Sequence, residues 1–426
     1  MLRVLTLATL FPNGAEPNLG LFVERQTRAL AARPGVEVAV VAPVGLPVWP
    51  LVRHPHYARR AALPLVEDWN GLRVHRPRYR VWPKAPQART AAAMAAALLP
   101  VLRDLRDRFR FDVIDAEFFW PDGPAAMRLS RALGVPFTVK ARGSDIHYWC
   151  RQSAVRAEIE DAGRAASALF AVSAAMAADL AALGLPRDRL FVHHTGVDLD
   201  RFRPGDRAAA KAAFGISGPL IVTAGALIPL KGQDLAIAAL AHLPEDAHLI
   251  LVGGGPERER LEALARPFGS RVRILGPRPQ DDVARLLAAA DVMLHPSRSE
   301  GLANVWVESL ASGTPVVAPD VGGAREVIDR PAAGRLADRT PEALAAAVRD
   351  LLAAPPPQQD VRAAATRFSW GRNAQELETH LRRCVEDNPL SPRERAGARA
   401  TGAVGNAATF SLPPGPSPNP LPGGEG

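Results

Sequence analysis

The feature that most constrains this chain is an alternation. Short apolar runs rich in Val, Ile and Leu are each followed by a longer Ala-rich stretch of helical period, and the pattern continues almost to residue 387. Strands that are apolar on both sides bury well only side by side in a parallel sheet covered by helices. Two series can be traced. The first places strands at 3–10, 36–43, 72–79, 111–119, 136–143, 166–173 and 189–196, and ends in the charged, turn-forming run DLDRFRPGDR at 198–207. The second places strands at 219–227, 247–255, 271–276, 291–297 and 314–320, with helices near 232–242, 256–267, 281–290 and 303–312. The expected fold class is α/β, with two Rossmann-like, doubly wound parallel-sheet domains over 1–200 and 201–370 facing a cleft. A helix over 371–388 is expected to pack back on the first domain. The 426 residues supply ample chain for two such cores. Residues 389–426, ending SLPPGPSPNPLPGGEG, lose all periodicity and read as a disordered Pro/Gly-rich tail.

Composition narrows the classes further. Hydrophobic residues at 47 % and charged residues at 23 % are proportions of a soluble globular protein. No stretch reaches the roughly 18 apolar residues needed to span a bilayer. The N-terminal apolar run is short and lacks a small-residue cleavage pattern, so it reads as the first strand. Cys150 and Cys384 have no metal-ligand spacing and build no disulfide framework, which points to a reducing, cytoplasmic compartment. The formal charge of +8 suggests an anionic partner, and a nucleic-acid-binding protein is one class that would explain it. The excess is local: residues 51–90 carry nine basic side chains against Glu67 and Asp68. Four of those arginines, Arg59, Arg60, Arg78 and Arg80, stand with Trp82 as candidates for an acceptor or an anionic membrane surface, a solvated basic loop being the plain alternative. Only Lys84, Lys140, Lys211 and Lys231 are lysines in an arginine-rich chain, so each of them stands out.

Ligands of open parallel sheets bind beyond the carboxyl ends of the strands, which directs attention to the strand–helix turns. In HPSRSEGLANVWVESLASGTPVVAPDVGG (295–323), Glu300 follows a strand and Glu308 lies eight positions later on a helix among Val305, Val307 and Leu310. A carboxylate there costs several kcal/mol unless it is paired or bonded to ligand hydroxyls. Between the two acids, Gly301, Leu302, Asn304 and Val305 lead into a helix N-terminus, whose free N–H groups favour phosphate. VTAGALIPLKGQDLAIAAL (222–240) places Gly225 and Lys231 between a strand and a helix, where an ammonium can meet a diphosphate. LVGGGPERERLEAL (251–264) centres a glycine turn on Gly254 but does not fit the dinucleotide fingerprint; close ligand approach and a merely tight turn fit it equally. In the first series, FPNGAEPNLGLFVERQTRAL (11–30) offers Gly20 before a helix, and KARGSDIHYW (140–149) gathers Lys140, Arg142, Asp145 and His147.

The 295–328 segment resembles the Glu-(seven residues)-Glu signature of the group 1, or family 4, retaining glycosyltransferases, and the likeness extends over about residues 1–387. It implies the GT-B fold and transfer of a sugar, with retention, from a nucleotide-sugar donor. It places the chain in envelope or exopolysaccharide synthesis, and the basic, aromatic stretch at 54–84 adds the expectation of a glycan or polyprenyl-linked glycan acceptor at the inner face of the cell membrane. The resemblance implies no metal or other cofactor and no nucleic acid. On the matching positions, Glu300 lies against the donor sugar, Glu308 binds the ribose, Lys231 meets the leaving diphosphate, and Gly20 borders the donor. Two departures stand out. Ala226 occupies a place where the family offers a second cation, and Arg142-Gly143-Ser144-Asp145 replaces His-Gly-x-Asp. Arg142 is a permanent cation that cannot serve as a base, so the expectation is that it stabilises charge beside Lys231, with Asp145 as a further catalytic candidate. A GT-B epimerase or phosphorylase is the enzymatic alternative.

Overall fold

Strand β1 (Leu2–Leu7) seeds the first sheet, which adds β2 (Val36–Val41), β4 (Val66–Trp69), β5 (Leu72–His75), β7 (Val113–Ala116), β8 (Phe137–Ala141), β9 (Ala168–Ala171) and β10 (Leu190–Val192). The computed structural model describes residues 1–82 and 89–388; Lys84 and the tail expected over 389–426 lie outside the described residues. The spatial order is β10-β9-β8-β7-β1-β2-β5-β4, parallel throughout except for the antiparallel edge strand β4. Two further strands, β3 (Val44–Pro47) and β6 (Arg78–Val81), pair with each other as a separate parallel ribbon. The second sheet runs β13-β12-β11-β14-β15-β16, built from β11 (Leu220–Ala224), β12 (His248–Val252), β13 (Val272–Ile274), β14 (Val292–Leu294), β15 (Val316–Ala318) and β16 (Gly334–Leu336). Its order, 3-2-1-4-5-6 by sequence, is that of a dinucleotide-binding fold.

Both sheets reverse winding beside their first strand, between β1 and β7 and between β11 and β14. The strands are almost wholly buried, as apolar sequences covered on both faces must be. Leu7, Val41, Ile114 and Val139 anchor one core; Val222, Ile250, Met293 and Trp306 anchor another.

The two lobes are joined twice. The backbone N–H of Val197 donates to the carbonyl of Phe368 at 2.7 Å where the chain passes out and returns. Helix Trp370–Glu386 is capped by the Ser369 hydroxyl, which accepts from the N–H of Arg372. Its Leu377, Leu381 and Cys384 pack with Leu2, Val4, Val113 and Phe170 of the first lobe. Arg33 reaches Glu378 on it at 2.6 Å.

The basic segment is less free than its composition suggests. Arg60 forms a two-pronged pair with Glu16 at 2.9 and 2.8 Å, and Arg73 reaches Asp68 at 3.3 Å. Arg76 is buried against Glu67, and Arg78 donates to the carbonyls of Arg76 and Leu63. Arg60 and Arg78 therefore hold the fold together rather than standing free for an acceptor. Among the described residues, no helix is long and apolar enough to cross a membrane.

Candidate active site

The carboxyl ends of both sheets face a shared cleft of about 640 Å³. From the second lobe, the loop after β11 contributes Gly225 and Lys231, the turn after β12 contributes Gly253, and the loop after β14 contributes His295 and Glu300. Leu302, Asn304, Val305 and Glu308 complete that wall. Here Asn304–Ala311 forms a helix whose first two residues, Asn304 and Val305, line the cleft, with backbone N–H groups that a helix start leaves without intrahelical partners. From the first lobe come Asn18, Phe22, Arg25 and Arg142, and from the crossing helix Trp370.

Lys231 Nζ lies 2.5 Å from Glu300 Oε1. Of the three described lysines it alone lines the cleft. Lys140 is fully buried against Glu117 and Asp115 at 3.2 and 3.7 Å, and Lys211 holds Asp291 at 3.0 Å. His295 stands 3.8 Å from Glu300, buried, with neither ring nitrogen hydrogen-bonded. Burial pushes its pKa down to about 4, so the ring is neutral and has one N–H to give and one lone pair to offer the cleft.

Glu308 projects from the helix with its side chain only 12 % exposed. Desolvation raises its pKa to about 7 against the opposing pull of Arg25 and Arg201. Arg25 comes across from the first lobe: its Nη1 is 3.8 Å from Glu308 Oε1 and its Nη2 donates to Gln280 Oε1 at 3.2 Å.

Several positions singled out from sequence take other parts. Arg142 lines the cleft, but its guanidinium is bound by Glu117 and Gln26 and stacked 4.8 Å from the Phe22 ring. Its charge is matched at once by a buried carboxylate, so the expected free cation beside Lys231 is not there. Arg278, exposed on the loop after β13 and without an ion pair among the described residues, also lines the cleft. Asp145 does not line the cleft. It accepts from the backbone N–H groups of Phe119, Arg142 and Gly143 at 2.8–3.3 Å and fixes the loop that carries Arg142, which makes it a positioning residue. His147 bridges Asp179 and Ser299 instead of entering the cleft.

The glycines divide in the same way. Gly225 (φ 152°) lies open to His295. A Cβ on Gly20 would fall 2.2 Å from the Leu10 carbonyl, one on Gly254 2.9 Å from Pro277, and one on Gly301 2.4 Å from the Arg142 carbonyl of the other lobe. These three serve close packing, and Gly301 is one of the places where the lobes touch. Sequence reading missed Asn18, Arg25, Thr195, Arg278, Gln280, His295 and Trp370 as lining residues.

Two Rossmann-like lobes with a nucleotide-type cleft at paired switch points define the GT-B class, and comparison with solved structures agrees on the fold. Sucrose-phosphate synthase from Thermosynechococcus elongatus superposes with a TM-score of 0.74 over 90 % of this chain and 99 % of that one, at 21 % identity. Anabaena HepE in complex with UDP-glucose gives 0.68 over 90 % and 100 %, at 21 % identity. The "Glycosyltransferase Family 4" family matches residues 19–201 and "Glycosyl transferases group 1" matches 206–368. The chain belongs to the group 1, family 4 glycosyltransferases. It is 36 % identical over 227 residues to the D-inositol 3-phosphate glycosyltransferase of Mycolicibacterium gilvum, a match covering 50 % of this chain and 51 % of that protein. The chain thus spans about half the length of these inositol-phosphate relatives. The putative teichuronic acid biosynthesis glycosyltransferase TuaC of Bacillus subtilis is 27 % identical over 82 % of this chain and 88 % of its own.

The reach of Arg25 across the cleft leads to a specific expectation. Arg25→Ala should raise the donor KM about tenfold, the worth of one charge-assisted hydrogen bond. The melting temperature should barely move, since the side chain packs in no core, and Arg25→Lys should recover part of the loss. Steady-state kinetics at varied donor concentration checks this.

Proposed function

We propose that the protein transfers a sugar, with retention at the anomeric carbon, from a nucleotide-sugar to a glycan or polyprenyl-linked glycan acceptor in cell-envelope or exopolysaccharide synthesis. The reaction takes place at the inner face of the cytoplasmic membrane, without a metal or other cofactor. The observation that carries the reading is the Lys231–Glu300 pair beside Glu308 at the switch point of the second sheet. In the transfer, the bond from the anomeric carbon to the diphosphate oxygen breaks as the acceptor oxygen bonds to that carbon, and the hydroxyl proton leaves with the diphosphate. Catalysis then consists mainly of stabilising charge on the leaving group. Lys231 and the N–H groups of Asn304 and Val305 face that charge; Glu300 takes hydroxyls of the donor sugar and Glu308 those of the ribose. The structures of HepE with UDP and UDP-glucose support a nucleotide-sugar donor, and the name of TuaC supports an envelope glycan.

A thermal-shift screen against UDP, GDP and ADP sugars tests the donor half. A true donor at about a hundred times its Kd should stabilise the protein by about 2.7 kcal/mol, a rise of several degrees. No shift with any nucleotide-sugar would sink the reading.

A further inference from the structure

The transfer cleft leaves one surface of the first lobe unused. Where the β3–β6 ribbon meets the turn Leu51–Arg53 and the helix Thr90–Arg108, a groove of about 690 Å³ is walled by Leu46, Trp49, Val52, Trp82 and Ala93. At this end of the lobe Val48, Trp49, Leu51 and Trp82 are 39, 70, 49 and 44 % exposed. Two tryptophans and a leucine held in water at one place forgo the stabilisation that burial would give, which marks an interaction surface.

The charges around it are uneven for a structural reason. Both acids of the basic segment are paired within it, Glu67 with the buried Arg76 and Asp68 with the exposed Arg73. Arg53, Arg59 and Arg80 are exposed and hold no ion pair among the described residues. Arg80 is on the groove wall, Arg53 is in the adjoining turn and Arg59 is on the helix Pro55–Ala61 packed against that turn. Aromatic side chains with a polar edge beside uncompensated arginines match the zone where headgroup phosphates meet acyl chains. A second copy of this chain fits poorly, because a two-fold contact would set arginine against arginine.

We propose that this face docks on an anionic phospholipid bilayer, with Trp49, Leu51 and Trp82 entering the interface and Arg53, Arg59 and Arg80 meeting lipid phosphates. The proposal rests on the reading that the acceptor is carried at a membrane. It gives that reading a physical footing, since the ribbon and its flanking helix belong to the lobe opposite the nucleotide wall.

The test is sedimentation of the full chain with vesicles of phosphatidylcholine alone or mixed equally with phosphatidylglycerol. Binding is expected to the mixed vesicles and to fall about fivefold for each of Arg53→Gln and Arg59→Gln, the worth of one arginine at such a surface. Trp49→Ala with Leu51→Ala should cost at least as much, and the blue shift of tryptophan emission on binding should shrink in Trp49→Phe. Every variant should keep the parent's melting temperature and donor-induced thermal shift. Loss of that shift in the parent would strike the transferase reading and leave vesicle binding standing. Equal binding to both vesicle types, or binding unchanged in the variants, overturns the docking surface. A concentration-dependent dimer abolished by Trp49→Ala overturns it too, by giving the face to a second copy.

Discussion

Lys231→Ala is expected to lower kcat by about two to three orders of magnitude, the usual cost of deleting one preorganised group that meets transition-state charge. The fold should persist, because Lys231 is part-exposed at a loop and contributes to no core, with a small fall in melting temperature as Glu300 loses its ion-pair partner. The variant leaves Glu300, 10 % exposed, facing only His295, which is neutral. The loss should therefore exceed that of a lone surface lysine: in the proposed mechanism the ammonium receives the leaving diphosphate, and in the empty cleft it balances Glu300. Arg142 cannot compensate, since Glu117 holds its guanidinium. Single-turnover release of the nucleoside diphosphate separates chemistry from binding. A kcat within threefold of the parent would remove Lys231 from the mechanism.

The second large effect has two signs. Glu308→Gln should reduce donor affinity about ten- to a hundredfold, because an ionised carboxylate accepts two ribose hydroxyls and an amide accepts less well. At pH 8 the same variant should be more heat-stable than the parent. The Glu308 carboxyl titrates near 7 in the fold against 4.5 ordinarily, so its stabilising contribution is full below about pH 4.5 and is lost as pH rises through 7. Holding the charge in the empty cleft thus costs up to about 3 kcal/mol at pH 8, and the neutral amide avoids that cost. Donor affinity in the parent should rise with pH through about 7 as the carboxylate forms. Calorimetry from pH 5 to 8 on parent and Glu308→Gln reads the stability; titration with donor reads the affinity. A variant less stable than the parent at pH 8 would show that Glu308 is held by the fold rather than kept for a ligand.

The two central sheets were legible because their strands are long apolar runs between helical stretches, a pattern that few other arrangements can bury. What escaped is local and short. β3 contains Gly45 and Pro47, β4 is a charged edge strand, and β16 has three residues, so none shows a strand period. Helices Pro341–Ala353 and Gln358–Ala365 lie past the traced series, although Thr340 before Pro341 is a helix-start signal. In the site, Lys231, Glu300 and Glu308 stand out because each breaks the character of its surroundings. Arg25 does not, being one of many arginines. Its only trace is that Glu24, Gln26 and Thr27 are polar residues on a helix that buries them. Arg142 could be located but not understood, because its partner Glu117 arrives from another strand end.

The helix that closes the first lobe has a consequence for how the protein is made. Leu2, Val4, Leu30, Val36, Val113 and Phe170 have their apolar cover in Leu377, Leu381 and Cys384, which are synthesised after the whole of the second lobe. The second lobe, continuous in sequence, can complete its core first, while the earlier-synthesised lobe waits with one face bare. The face is covered only when the chain, having built the second lobe, crosses back as the helix Trp370–Glu386, so closing the first core and fixing the two halves of the cleft opposite each other are one event.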